Sequence, residues 1–336
     1  MNPADFVAHA RARLDAGIPL VLYAEPGSTL VKGIFSSAKK ADSEFVFAPF
    51  NRGPKLSIPF DQDDVFHCEL PVVPAVPVSF DDQGEEHFTA LVKKALDQIA
   101  TGHLQKVVVS RCETHDYPVD KLLPAFARMV KQYPSALCYL WYHQGSGLWM
   151  GATPERLLRA VGPDFYTMAL AGTMPHDPSG HYDWGQKEKA EQRYVTDYIF
   201  EKLRPMASEI GQHGPLTAQA GNIVHLKTEL SGVMRPDASA GKLVSALHPT
   251  PAVCGIPPDG AMSFIGKNEG YDREYYSGYL GIESAGRTDL YVNLRCMKWE
   301  AGVATLYMGC GINAGSDPRR EYLETVSKSN TIKTIL

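Results

Sequence analysis

Two segments of the chain carry carboxylates three residues apart: Glu188 and Glu191 in QKEKAEQRYV, and Glu321 and Glu324 in REYLETVSK. If each segment is helical, residues at this spacing project together. Glu191 also shares a helical face with Tyr194, Val195 and Tyr198, and a carboxylate on an apolar stripe is unfavourable unless something pairs with it. Four carboxylates meeting in one cavity would repel unless a hard divalent cation sat among them. Magnesium suits such a set, since it binds through one or two carboxylates plus waters and a ligand oxygen. Spacing alone favours plain solvated helix faces: Glu324 and Lys328 make an ordinary i,i+4 pair, and Lys187 and Lys189 flank Glu188.

Other residues could do chemistry. Lys106 opens the strand-like run KVVVSR. A desolvated lysine there could lose its proton near neutrality and act as a general base, although a solvated strand end is the simpler reading. Glu155, in GATPERLL, follows a predicted strand, and a turn carboxylate beside Arg156 is its plainer role. Gly309, Gly311 and Gly315 are placed after a strand and before a helix. They suit close backbone approach to a small anionic ligand as well as they suit a tight turn. No βαβ unit follows them, as a dinucleotide site would need. His225 and His248 have no partner at metal spacing, so each reads as a hydrogen-bonded structural histidine.

Several elements must position these residues. Apolar periodicity predicts helices over Glu85–Ala100, Lys121–Gln132, Gln186–Leu203 and Arg319–Ser329, with a short amphipathic helix at the N-terminus. Strand patterns cover Pro19–Tyr23, Glu44–Pro49, Lys106–Arg111, Ala136–Tyr142, Leu148–Gly151, Phe165–Leu170, Ile223–Val233 and Tyr279–Glu283. Asp289–Trp299 and Ala304–Met308 read as a hairpin turning at Gly302. Pro71–Pro77 looks like an extended connector. Strands outnumber helices and many connections are too short for a helical crossover, which points to a mixed, largely antiparallel α/β (α+β) fold.

Composition sets bounds. Of 336 residues 44% are hydrophobic and 21% charged, as in a well-cored protein, and the net charge of -5 argues against a nucleic-acid or anionic-membrane partner. The six cysteines form no C-x-x-C pair, which argues against a zinc ribbon. No signal-peptide pattern and no membrane-spanning stretch is evident, so a cytoplasmic protein is expected.

Taken in order, KVVVSR, GATPERLL, LAGT, EKAEQRYVTD, HLKTELSG, LHPTPAVCGIP, YDREYYSGYLG, LYVNLRC, YMGCGI and EYLETVSK resemble the chorismate-utilising family. That family includes the isochorismate, salicylate, anthranilate and aminodeoxychorismate synthases. The resemblance implies residues 1–336 as one domain, with 1–77 divergent and 85–330 recognisable, built from two antiparallel sheets with helices outside and a central cleft. It implies magnesium held by Glu191 and Glu324, with Glu188 and Glu321 helping through water. Arg295, Tyr276, Gly309 and Lys328 would hold carboxylates of chorismate, and Gly172, Thr173 and His225 would lie near the ring.

Members that add water resemble this chain in having lysine at the Lys106 position. Lys106 would activate water for attack at C2, and Glu155 would protonate the departing C4 hydroxyl. Isomerisation of chorismate to isochorismate is then the expected reaction, feeding menaquinone or siderophore synthesis. A salicylate synthase and a non-catalytic chorismate-binding module are the alternatives. No amidotransferase subunit is expected, and a monomer is.

Overall fold

The computed structural model describes residues 1–35, 41–75, 83–220 and 223–336. Two antiparallel sheets dominate it. In the larger, nine strands follow in the order Gly255–Ile256, Lys106–Asp116, Val303–Ile312, Cys296–Glu300, Gly147–Thr153, Leu137–His143, Leu20–Ala24, Val31–Ile34 and Val65–Cys68. The second has eight: Ala207–Ala220, Ile223–Met234, Asp164–Pro175, Arg156–Val161, Arg287–Val292, Tyr279–Ser284, Ser43–Ala48 and Leu56–Phe60. The antiparallel expectation therefore holds, and the N-terminal segment supplies an edge strand to each sheet, Val65–Cys68 to the larger and Leu56–Phe60 to the smaller.

An aromatic core joins the sheets. Phe45 and Phe47 from the smaller sheet meet Tyr139, Trp141 and Trp149 from the larger, and all five are essentially sealed from water. Phe47 stacks on Tyr275 at 4.5 Å between ring centroids, a geometry worth more than its buried area alone. Helices cover other faces. Glu85–Ala100 and Pro258–Asn268 pack on the strand that begins at Lys106 and Pro318–Lys333 on its neighbour Val303–Ile312, while Gln186–Leu203 and Ala240–Leu247 pack on the smaller sheet.

The helix Gln186–Leu203 shows why the site forms where it does. It buries Glu191, Val195, Ile199 and Leu203, at intervals of four, together with Gln192 and Thr196. Tyr194, expected on that stripe, is instead exposed. The stripe follows the four-residue ridge, and the three-residue step to Tyr194 falls off its edge.

Asp289–Trp299 is not one strand. Its first part, Arg287–Val292, pairs in the smaller sheet, and its second, Cys296–Glu300, pairs in the larger. The chain changes sheets across Asn293–Arg295. Buried Asn293 fixes the crossing, accepting from the Tyr139 hydroxyl at 2.6 Å and donating to the Tyr275 carbonyl at 2.9 Å. The Gly302 hairpin is present, with arms Cys296–Glu300 and Val303–Ile312. Gly309 and Gly311 lie inside its second arm, paired with Ser110 and Val108. They are therefore not in a loop, and Gly315 alone sits in the turn before the last helix. The helices Ala240–Leu247 and Pro258–Asn268 were not legible from periodicity. Residues 76 and 77 of the expected connector lie outside the described residues.

Candidate active site

Lys106 is fully buried, held in its strand between Gly255–Ile256 and Val303–Ile312. It is no solvated strand end. Its Nζ lies 3.0 Å from Glu191 Oε1. This approach needs glycine at position 311, where a Cβ would fall 2.2 Å from Glu191 Oε1 and 2.8 Å from Lys106 Cε. Burial pushes the Glu191 carboxyl up, but Lys106, with Lys187 and Lys328 behind it, outweighs burial and holds it below its usual range.

Glu155 and Arg295 sit where the chain crosses between sheets. Glu155 lies between Gly147–Thr153 and Arg156–Val161, which belong to different sheets. The two crossings run together: Thr153 Oγ1 donates to the Val292 carbonyl at 2.6 Å, and the Val292 N–H donates to the Glu155 carbonyl at 2.9 Å. Burial pushes the Glu155 carboxyl up to about 7, against the opposing pull of Lys106, Lys328 and Arg295. Arg295 adopts a left-handed backbone with φ 49°, unusual for a residue with a side chain and frequent at functional positions. Burial draws its guanidinium down to about 10, which still leaves it charged at neutral pH.

His225 links this arginine to the smaller sheet. Its Nδ1 lies 2.9 Å from the Gly172 carbonyl, and its Nε2 lies 2.8 Å from Arg295 Nη2. A carbonyl can only accept and a guanidinium can only donate, so the imidazole is neutral with its proton on Nδ1. Burial and the nearby Arg295 and Lys328 charges push its pKa well below the ordinary value. Gly172 forms a bulge with φ 72° in the strand Asp164–Pro175, which turns its carbonyl to the histidine and lets Glu188 approach closely.

A cleft opens among these groups, walled by charged side chains as well as apolar ones. Glu155, Gly172, Thr173, Glu191, His225, Tyr276, Arg295, Gly309, Glu324 and Lys328 all line it. Lys106, Glu188 and Glu321 are outside this wall: Lys106 stands behind Glu191, and Glu321 is buried beside Lys187, whose ammonium it accepts. Lys328 donates to the Gly309 carbonyl at 2.9 Å and pairs with Glu324 at 2.8 Å. The i,i+4 pair expected from sequence thus exists, inside the cleft. Burial pushes the Tyr276 hydroxyl up to about 12, and its ring stacks on Tyr307 at 5.4 Å. Tyr307 also lines the cleft and was not singled out from sequence. The signal was present, because Tyr307, Gly309 and Gly311 share one face of a strand at period two. His248 contacts the Pro49 carbonyl at 3.1 Å, away from the cleft, as a structural histidine would.

The carboxylates suit a hard cation. Glu191 and Glu324 face the same cleft from two helices. Burial and the neighbouring Glu324 push the Glu321 carboxyl up, and its Oε2 is buried with no hydrogen-bond partner. Among the described residues no three acidic, histidine or cysteine side chains form a ready-made metal cage. Two facing carboxylates completed by waters and a ligand oxygen are what magnesium uses. No helix among the described residues is long and apolar enough to cross a membrane.

The family of this two-sheet fold with its charged cleft is given by comparison with known proteins. Residues 69–336 match the family described as chorismate binding enzyme, and the chain belongs to that family. The isochorismate synthase EntC of Escherichia coli (strain K12) is 31% identical over 262 residues, which cover 74% of this chain and 66% of EntC. The isochorismate synthase DhbC of Bacillus subtilis (strain 168) is 30% identical over 312 residues, covering 82% of this chain and 78% of its own. The chain matches between 55% and 66% of the length of the first curated relatives. The solved structure of MenF, the menaquinone-specific isochorismate synthase of Escherichia coli, has the same fold, with a TM-score of 0.78 at 22% identity over 95% of this chain and 88% of that one.

Proposed function

We propose that this protein is an isochorismate synthase that interconverts chorismate and isochorismate with magnesium bound at Glu191 and Glu324. The observation that carries the reading is Glu155, a buried carboxyl held up at about 7 in the cleft that Arg295 and Glu191 also line. A group with that pKa can give and take a proton at neutral pH. Arg295 presents a planar fork suited to a substrate carboxylate, oriented by neutral His225. Lys328 and Tyr276 add donors on the same wall. Magnesium, once bound, supplies positive charge that fixes a substrate carboxylate.

In this mechanism the neutral amine form of Lys106 takes a proton from the water that adds to C2. The two ring double bonds shift, and Glu155 protonates the C4 hydroxyl as it leaves. One water enters and one departs, so the reaction is an isomerisation and is reversible. Glu191 stands between Lys106 and the cleft, so the carboxylate assigned to the metal also masks the base. Water is the nucleophile, so neither ammonia nor an amidotransferase subunit is required.

The test is purified protein with chorismate and magnesium, coupled to lactate dehydrogenase. Chorismate should be consumed without pyruvate until an isochorismatase is added. Pyruvate released at the rate of chorismate loss, with salicylate fluorescence, would instead make the protein a salicylate synthase. Unchanged chorismate would leave it a binding module.

A further inference from the structure

Three carboxylates of the proposed metal site each have a lysine. Lys106 pairs with Glu191 at 3.0 Å, Lys328 with Glu324 at 2.8 Å, and Lys187 with Glu321. The lysines differ in freedom. Lys106 is fully buried beneath Gly311, and Lys328 also holds the Gly309 carbonyl. Lys187 stands in the first turn of the helix Gln186–Leu203, with its side chain 24% exposed and its stem lying beside Gly315. Among the described residues its ammonium meets Glu321 alone.

Lys187 is the one ion-pair partner of Glu321 among the described residues, and Ser316 is close enough to help hold its charge. Glu321 is 1% exposed, Oε1 accepts from Lys187, and Oε2 has no hydrogen-bond partner. A carboxylate taken out of water with one oxygen lacking a hydrogen bond is poorly stabilised. A divalent ion is a stronger partner for the cluster than one ammonium, and a long flexible stem can carry that ammonium back to water.

We infer that Lys187 is an internal counter-ion that competes with magnesium for the carboxylate cluster and sets its affinity. This rests on the magnesium site proposed above. While the metal is absent, Lys187 neutralises Glu321 and keeps the cluster folded. When the metal enters, the added charge repels the ammonium, which turns outward. Magnesium affinity is therefore held below what the carboxylates alone would give.

The experiment is calorimetric titration of magnesium chloride into the whole protein without substrate. Lys187→Met should bind magnesium more tightly, on the order of tenfold, the scale of one partly buried ion pair. Lys187→Arg keeps the charge and should bind no more tightly than the unaltered protein. Without magnesium Lys187→Met should melt at a lower temperature, and saturating magnesium should close the gap. Equal or weaker affinity in Lys187→Met overturns the inference. If that variant does not fold, Lys187→Gln gives the same readout. Glu191→Gln separates the two ideas. If its magnesium heat matches that of the unaltered protein, or the unaltered protein takes up no magnesium, the metal site itself is wrong. If that heat disappears while Lys187→Met binds as the unaltered protein does, only the role of Lys187 falls.

Discussion

Glu155→Gln is expected to make the protein less active and, above neutrality, more stable. The carboxyl is 4% exposed, and burial raises it from 4.5 to about 7. A carboxyl raised in this way holds its proton more tightly in the folded protein than in the unfolded chain. The stability it contributes is fully present below the unfolded value near 4.5 and is lost as pH rises through about 7. Above that, the folded state keeps a buried charge that the unfolded chain would solvate. A displacement of this size corresponds to about 3 kcal/mol.

Glutamine has nearly the same shape and is neutral throughout. Glu155→Gln should therefore gain roughly 2–3 kcal/mol over the unaltered protein at about pH 8.5 and close to nothing at about pH 4.5. Its kcat should fall on the order of 10²–10⁴, because the proton donor is gone, while KM for chorismate changes little. Urea unfolding of both proteins at the two pH values, with initial rates alongside, measures each part. A variant no more stable than the unaltered protein at the higher pH, or one that keeps its kcat, refutes the role given to burial at this site.

Three further outcomes are expected. Gly311→Ala should weaken magnesium binding and kcat together, by tenfold or more on the order of a displaced ligand, because its Cβ would fall 2.2 Å from Glu191 Oε1; calorimetry and rates of the purified variant check both. Arg295→Ala should raise KM for chorismate more than any other change in the cleft, by roughly 2–3 kcal/mol of lost charge-assisted bonding, and unchanged kcat/KM would make Arg295 a folding residue. Glu324→Gln should lose magnesium dependence and activity together, because a site with few protein ligands loses a charged oxygen; wild-type magnesium affinity would place the metal elsewhere.

Much of the fold was legible because local pattern and burial agreed. The helix Gln186–Leu203 is bounded by the same residues in sequence and structure, and the run KVVVSR forms the start of a strand. Asp289–Trp299 misled because its alternation continues across a change of sheet. Nothing local marks that change, since it is held by Asn293 binding Tyr139, 154 residues away, and Tyr275, 18 residues away. Glu191 was legible as a carboxylate on an apolar stripe. The link between Lys187 and Glu321 was not, because it joins residues 134 apart and Lys187 reads locally as a solvated neighbour of Glu188. Gly309 and Gly311 were noticed as close-approach residues, but their place inside a strand depends on pairing with Ser110 and Val108. The roles given to Lys106 and Glu155 came from the resemblance to the chorismate-utilising family, because spacing alone favoured ordinary charged positions for both.

The most direct test of the proposed chemistry is turnover of chorismate in water enriched in oxygen-18, with magnesium present and product taken at early times for mass spectrometry. Water activated by Lys106 adds at C2 while Glu155 releases the original C4 oxygen. The isochorismate formed should therefore carry one heavy oxygen, located at the C2 hydroxyl. Unlabelled isochorismate would mean that the hydroxyl migrates within the substrate, and would contradict the paired roles of Lys106 and Glu155.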